Sequence, residues 1–342
     1  MSQKNSNVVI RVPKILQKQL NNKKICKIYK QFEKNLNLNQ NFAVAVSGGP
    51  DSLALAVLAK IYAVKKKLVS KFFIVDHQIR KESSQEAKLI KSKLSSVGIN
   101  SQILIWKGKK PTRNLQSLAR KKRYELLIAN CNKFKIKNIL LGHHEGDVIE
   151  NFFIRILRGS GLKGLISFDK EAKINKINLF RPLLDQKKDD LIFIAKYIFN
   201  FYVKDPSNEN ELFLRVKIRK LIDEMQKNGL DKKKFLNTIK NLKYSDKAIK
   251  FYTNKNLREN TYFSLKENDY TINMNFFQQP HEIVFRSLTF IINVIGGRYY
   301  SPRGKKIDLI INKINNKELS KVTLGGCIIE MQHETVIISK EK

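Results

Sequence analysis

The sequence predicts an α/β protein, a doubly wound and mostly parallel sheet of Rossmann-like type followed by a smaller helix-rich α+β domain. Three observations carry that expectation. Short apolar runs alternate with helical patterns four times between residues 42 and 158, which is the signature of successive strand–helix units. The first run enters its helix through a glycine-rich turn, Ser47-Gly48-Gly49-Pro50-Asp51-Ser52. Polar clusters close three of the runs at their carboxyl ends, the edge where such sheets bind ligands.

The first 30 residues lack any acidic side chain, yet they have neither an apolar h-region nor much Arg or Ser, so they read as a short extension and a helix rather than a targeting segment. FAVAV at 42–46 is a strand, and LALAVLAKIY carries a helix over 52–64. FFIVD at 72–76 precedes a helix over 84–97, with Ser83-x-x-Glu86 as a capping box and Gly98 as a stop. QILIW is followed by a helix over 115–131 whose positions Leu115, Leu118, Ala119 and Leu126 are expected to face the sheet. NILLG leads to a helix over 147–158. Beyond RPLL at 181–184 come a helix near 187–200, the turn DPSN at 205–208 and a basic helix from about 211. Lys-rich helices continue to about 256; then follow a helix containing VFRSLTFIINVIGG, a basic helix near 304–315 and a hairpin in VTLGGCIIEMQ and TVIIS. The expected organisation is residues 1–38 as extension and helix, 39–225 as the nucleotide-binding catalytic domain, and 226–342 as a second domain.

Charge narrows the partner. Sixty-six Lys and Arg face 30 Asp and Glu, a formal net charge of +36, which suits a polyanion larger than a nucleotide and points to nucleic acid. Part of that excess fits a chain rich in Lys, Asn and Ile throughout. No run of about 18 apolar residues is present to span a membrane. Cys26, Cys131 and Cys327 stand far apart, without CxxC or zinc spacing, and read as reduced thiols in a cytoplasm.

The Ser47–Ser52 turn is a phosphate loop. Its glycines let the backbone approach a ligand, and free amides at the following helix N-terminus attract an anion. A tight turn capped by Asp51 or Ser52 is the plainer alternative. A GxxxxGK[ST] loop occurs nowhere, so the phosphates are not gripped in the manner of phosphoryl-transfer enzymes. Asp147 and Glu150 lie three apart at a helix start, where they share a face for metal, ammonium or proton, or simply form a cap. Arg120 and Arg123 are neighbours on one helix and are candidates for contact with ATP or tRNA phosphates, or for a solvated basic face; Arg215 and Arg219, four apart on another, are candidates for tRNA contact or for domain-interface pairs. His77, His143 and His144 sit at predicted strand ends.

SGGPDS, VDHQIRKESSQEA, NLQSLARKKRYELL, LGHHEGDVIENFFIRILRGSGLKGL, RPLLDQKKDDL and DPSNENELFLRVKIRKL occur in this order, and this resembles the tRNA(Ile)-lysidine synthetases of the PP-loop ATP pyrophosphatases. The match covers residues 40–220 strongly; GGRYYSPRGKKIDLI and the LGGC segment resemble that family's substrate-binding domain more weakly. The resemblance implies ATP and Mg²⁺ as cofactors, with free lysine and a CAU-anticodon isoleucine tRNA as partners. It implies joining of lysine to C2 of the wobble cytidine through an adenylated tRNA, with AMP and pyrophosphate as products. It gives phosphate binding to Ser47, Gly48, Gly49, Pro50, Asp51 and Ser52, a Mg²⁺ ligand to Asp51, and catalytic roles to Asp51, Asp147 and Glu150. Where the family usually has an acid, this chain has Gly146, so no metal role is expected there. The longer members' second C-terminal domain is expected to be missing. A PP-loop tRNA thiolase would share loop and charge but needs reactive cysteines, and a non-catalytic RNA-binding protein would explain the charge but not the loop.

Overall fold

Phe42–Val46 (β1) is apolar on both faces because both faces are covered. Phe42, Val44 and Val46 join one core, and Ala43 joins another on the opposite side of the sheet. The computed structural model describes residues 13–108, 115–206, 210–298 and 302–341. Ser207 and Asn208 of the expected DPSN turn lie outside them.

Two helices, α1 (Lys14–Gln19) and α2 (Lys23–Leu36), precede β1. Four units then follow: α3 (Pro50–Lys65), β2 (Ser70–Asp76), α4 (Ser83–Ser96), β3 (Ser101–Ile105), α5 (Leu115–Lys133), β4 (Asn138–Leu140) and α6 (Glu145–Leu157). A short α7 (Leu162–Leu165) leads to β5 (Glu171–Ile174) and β6 (Ile177–Phe180), then α8 (Lys188–Phe199) and α9 (Leu214–Lys227). The sheet order is β3-β2-β1-β4-β6-β5, parallel except for the β5–β6 pair at one edge. Helix α3 is apolar almost all round, and every residue from Leu53 to Val64 except Lys60 is buried.

Several local expectations change. The hairpin β5–β6 was not predicted: its strands are four residues long and turn at Asn175 in the left-handed region, without an Asn-Gly signal. The capping box expected at Ser83 does not form. Ser83 Oγ instead donates to Asp76 Oδ1, and Glu86 accepts from Arg80, because Asp76 is buried at the end of β2 and takes both Ser83 and Ser84 as donors. The core face of α5 runs through Tyr124, Leu127 and Cys131, with Leu126 only at its margin. Helix α6 begins at Glu145, two residues earlier than expected.

The chain divides into two compact units, Met1–Phe235 and Leu236–Lys342, so the division falls beyond the expected residue 225 and inside α10 (Lys232–Asn260). Phe235 belongs with the first unit because its ring stacks on Phe153 at 5.2 Å and meets Phe152 edge-on. The second unit continues with β7 (Thr261–Ser264), β8 (Asp269–Asn273), α11 (His281–Gly296), α12 (Gly304–Asn315), β9 (Lys321–Leu324), β10 (Cys327–Gln332) and β11 (Thr335–Lys340). Its antiparallel sheet, β7-β8-β11-β10-β9, has three strands, β9, β10 and β11, in the segments expected to form one hairpin, and two further strands, β7 and β8, that the Lys- and Asn-rich context hid. Leu288, Ile292 and Ile295 of α11 and Ile307, Ile311 and Ile314 of α12 cover it.

Candidate active site

The loop after β1 is built around one hydroxyl. Ser52 Oγ accepts from the Ser47 N–H at 3.1 Å and donates to the Gly49 carbonyl at 2.9 Å, which closes the turn from inside. Gly48 has φ +83°, and a Cβ there would stand 2.3 Å from Ile90 Cδ1, so glycine is needed for both conformation and space. No side chain caps the N-terminus of α3, and Pro50 in its first turn has no N–H to satisfy, so the remaining amides keep their partial positive charge for an anion. Gly142, just after β4, lets that strand approach the loop: its Cβ would meet Asp51 and Ser52 backbone atoms at 3.1 Å.

Asp51 turns its carboxylate toward α8 and α6. Its Oδ2 accepts from Lys188 Nζ at 2.5 Å and lies 4.0 Å from His144 Nε2, while Oδ1 is buried with no partner. His144 is the N-cap of α6. Its Nδ1 accepts from the Gly146 N–H at 3.0 Å, and Asp147 Oδ2 accepts the His144 N–H at 2.9 Å, completing a capping box. Gly146 matters because a Cβ would stand 2.7 Å from His144 Cε1; the imidazole folds back over a bare backbone. His144 Nε2 therefore stands between two carboxylates, 3.8 Å from Asp147 Oδ2. Burial opposes ionisation of Asp147, but His144 and its donated N–H outweigh it and keep the carboxyl below its usual range.

Glu150 is not part of a cap. It is buried inside α6 and forms a two-point ion pair with Arg219 of α9, at 2.6 and 3.3 Å. Burial lowers the Arg219 pKa, but the Glu150 carboxylate more than offsets this and raises it. Arg120 and Arg123 both lie over the Tyr124 ring, at 5.3 and 5.8 Å. Burial, then Arg120 and Arg215, depress the Arg123 guanidinium. His143 is pushed down to about 3 by burial, against the pull of Asp147 and with help from Arg181, Arg120 and Arg123. Arg120, Arg123, Arg181 and Arg215 thus share one electrostatic neighbourhood around His143 and Asp147. Such a like-charged cluster is self-repulsive until an anion enters it.

The sequence brought Arg120, Arg123 and Arg215 forward but passed over Arg181 and Lys188. Arg181 sits over the Phe168 ring at 4.7 Å and donates to the Asp169 carbonyl at 2.6 Å; the quoted RPLL motif was its only signal. Lys188 is the second lysine of a Lys-Lys-Asp-Asp run and looks like any solvated charge. Among the described residues no three His, Cys, Asp or Glu side chains group as a metal cage. The unpartnered Asp51 Oδ1 does fit a Mg²⁺ ion held by one carboxylate and substrate phosphates.

Residues 18–225 match the PP-loop domain family. Over 312 residues the chain is 32% identical to a tRNA(Ile)-lysidine synthase of Wolbachia sp. subsp. Brugia malayi, covering 89% of this chain and 71% of that protein. It is 33% identical to a tRNA(Ile)-lysidine synthase of Orientia tsutsugamushi, covering 89% and 70%. The chain belongs to the tRNA(Ile)-lysidine synthase family. A solved U34-tRNA thiolase, NcsA from Methanococcus maripaludis, superposes with TM-score 0.54 at 20% identity, covering 65% of this chain and 78% of that one, which bears out the PP-loop fold. Membership in the lysidine synthase family makes the chain an ATP-using, tRNA-modifying enzyme. No described helix is long and apolar enough to cross a membrane.

Proposed function

We propose that this protein joins lysine to C2 of the wobble cytidine in CAU-anticodon isoleucine tRNA through an adenylated tRNA, acting in the cytoplasm. The observation that carries the reading is convergence: the phosphate loop, Asp147 and the arginine cluster meet beyond the carboxyl ends of β1 and β4. In the first half-reaction the cytidine O2 attacks the α-phosphorus of ATP and pyrophosphate leaves. The α3 amides hold the leaving group, and the arginines stabilise the charge that develops. In the second, a neutral lysine amine attacks C2, its proton is taken up, and AMP leaves. Asp147, ionised and facing His144, binds the incoming ammonium and accepts its proton. Asp51 would hold Mg²⁺, which supplies charge neutralisation to the phosphates.

The second unit supports an RNA partner. The solvent face of α10 carries Lys240, Tyr244, Lys247 and Phe251; both lysines lie 5.7 Å from the Tyr244 ring, and Phe251 is 65% exposed. Exposed rings between cations suit unpaired bases and their phosphates. The thiolase alternative loses ground because burial pushes the Cys131 thiol up to about 12 and the Cys327 thiol up to about 11, the opposite of a reactive thiolate. The test is one incubation with ATP, Mg²⁺, lysine and the CAU-anticodon transcript. AMP and pyrophosphate should appear only with tRNA present, together with lysine incorporation. ADP and orthophosphate as products would overturn the reading.

A further inference from the structure

Asp51 poses an electrostatic problem for any phosphate loop. It is the second residue of the helix whose amides attract the anion, and a carboxylate there repels the phosphates the amides attract. The structure shows how this is contained. Lys188 reaches across from the first turn of α8 and donates to Asp51 Oδ2 at 2.5 Å, leaving Oδ1 buried and unpartnered. The Lys188 side chain is 43% exposed, and its four-carbon stem is flexible with rotatable donors at its end. Among the described residues the next ion-pair distance to Asp51 is longer, 4.0 Å from His144 Nε2 to Oδ2.

We propose that Lys188 is a phosphate-site residue that changes partner, holding Asp51 while the loop is without nucleotide and passing to a β- or γ-phosphate oxygen when ATP binds. The exchange conserves charge. The ammonium moves from one oxyanion to another beside it, and both Asp51 oxygens become available to the cation that accompanies ATP. This rests on the ATP-using reading of the loop, and it adds a residue that neither the glycine pattern nor the carboxylates single out. Lys188 is suited to the task because an ammonium is a point charge with rotatable donors, able to follow phosphates as they leave.

The experiment measures ATP, AMP and pyrophosphate binding by calorimetry on wild type, Lys188→Gln, Lys188→Arg, Asp51→Asn and the Asp51→Asn/Lys188→Gln double variant. Lys188→Gln should weaken ATP and pyrophosphate binding by roughly 10- to 100-fold, the worth of one charge-assisted hydrogen bond. AMP, which lacks the β- and γ-phosphates, should change less than about 2-fold. Lys188→Arg should retain most of the affinity. The double variant decides the matter. If Lys188 only neutralises Asp51, adding Lys188→Gln to Asp51→Asn costs no further ATP affinity, and the proposal fails; if it touches phosphate, the double variant binds ATP roughly 10- to 100-fold more weakly than Asp51→Asn alone. An equal loss for AMP and ATP would also overturn it, as would a wild type that binds neither ATP nor pyrophosphate. Lysine incorporation is scored separately, so a protein that binds ATP through Lys188 yet makes no lysidine would refute the proposed function and leave this residue's role standing.

Discussion

Replacing Glu150 by Gln tests whether α6 and α9 are joined by a charge. Glu150 retains only 8% of its side-chain exposure, while Arg219 retains 39%. Breaking a fully buried pair costs about 3–5 kcal/mol. Here the arginine can rehydrate, which discounts that figure, and glutamine keeps one oxygen to accept from Nε. What disappears is the difference between a charged and a neutral hydrogen bond, about 1–2 kcal/mol. For a unit of this size each kcal/mol shifts the melting temperature by roughly 2–4 °C, so the expected fall is about 2–8 °C. Calorimetry of wild type, Glu150→Gln, Arg219→Met and the double variant would measure both the shift and the coupling. A shift below about 1 °C with no coupling would mean that the pair is solvent-screened and does not hold α6 to α9.

Asp147→Asn should behave in the opposite way: the amide oxygen can still accept the His144 N–H, so melting stays within about 2 °C, while lysine incorporation falls by orders of magnitude. Retained incorporation would leave Asp147 as a cap only. His143, pushed down to about 3, is neutral in the folded protein at pH values where the unfolded chain, with a pKa of about 6.5, takes up a proton. Stability should therefore fall as pH drops from about 6.5 toward 3, by up to about 1.4 kcal/mol per pH unit, and His143→Asn should flatten that slope in denaturant titrations; an unchanged slope would place the imidazole in water. Gly48→Ala must strain a positive φ and displace Ile90, so ATP affinity should drop about 10-fold or more and stability by about 1–3 kcal/mol; normal nucleotide binding would show that the loop is free to rearrange. Binding of tRNA should weaken linearly in log salt at roughly 0.7–0.9 per phosphate contact, and a flat response would make the lysines compositional.

What the sequence determined alone was whatever rests on local periodicity and backbone freedom. Alternation of FAVAV-type runs with helical patterns was enough for the doubly wound sheet, because a strand covered on both faces must be apolar throughout. Two glycines before a helix were enough for the loop, since glycine accepts the φ of Gly48 without strain. The carboxylates were visible too, but not their employment. Asp147 and Glu150 share one helix face and a spacing that also fits a cap; only α9, arriving from 69 residues away in the chain, separates them by giving Arg219 to Glu150. Lys188 and Arg181 lie in stretches where charge is common, and they acquire meaning only because α8 and the residue after β6 bring them beside Asp51 and His143. The four-residue strands β5, β6 and β7 were likewise hidden: so short a strand has too little pattern of its own, and it forms because a neighbouring strand supplies its hydrogen bonds.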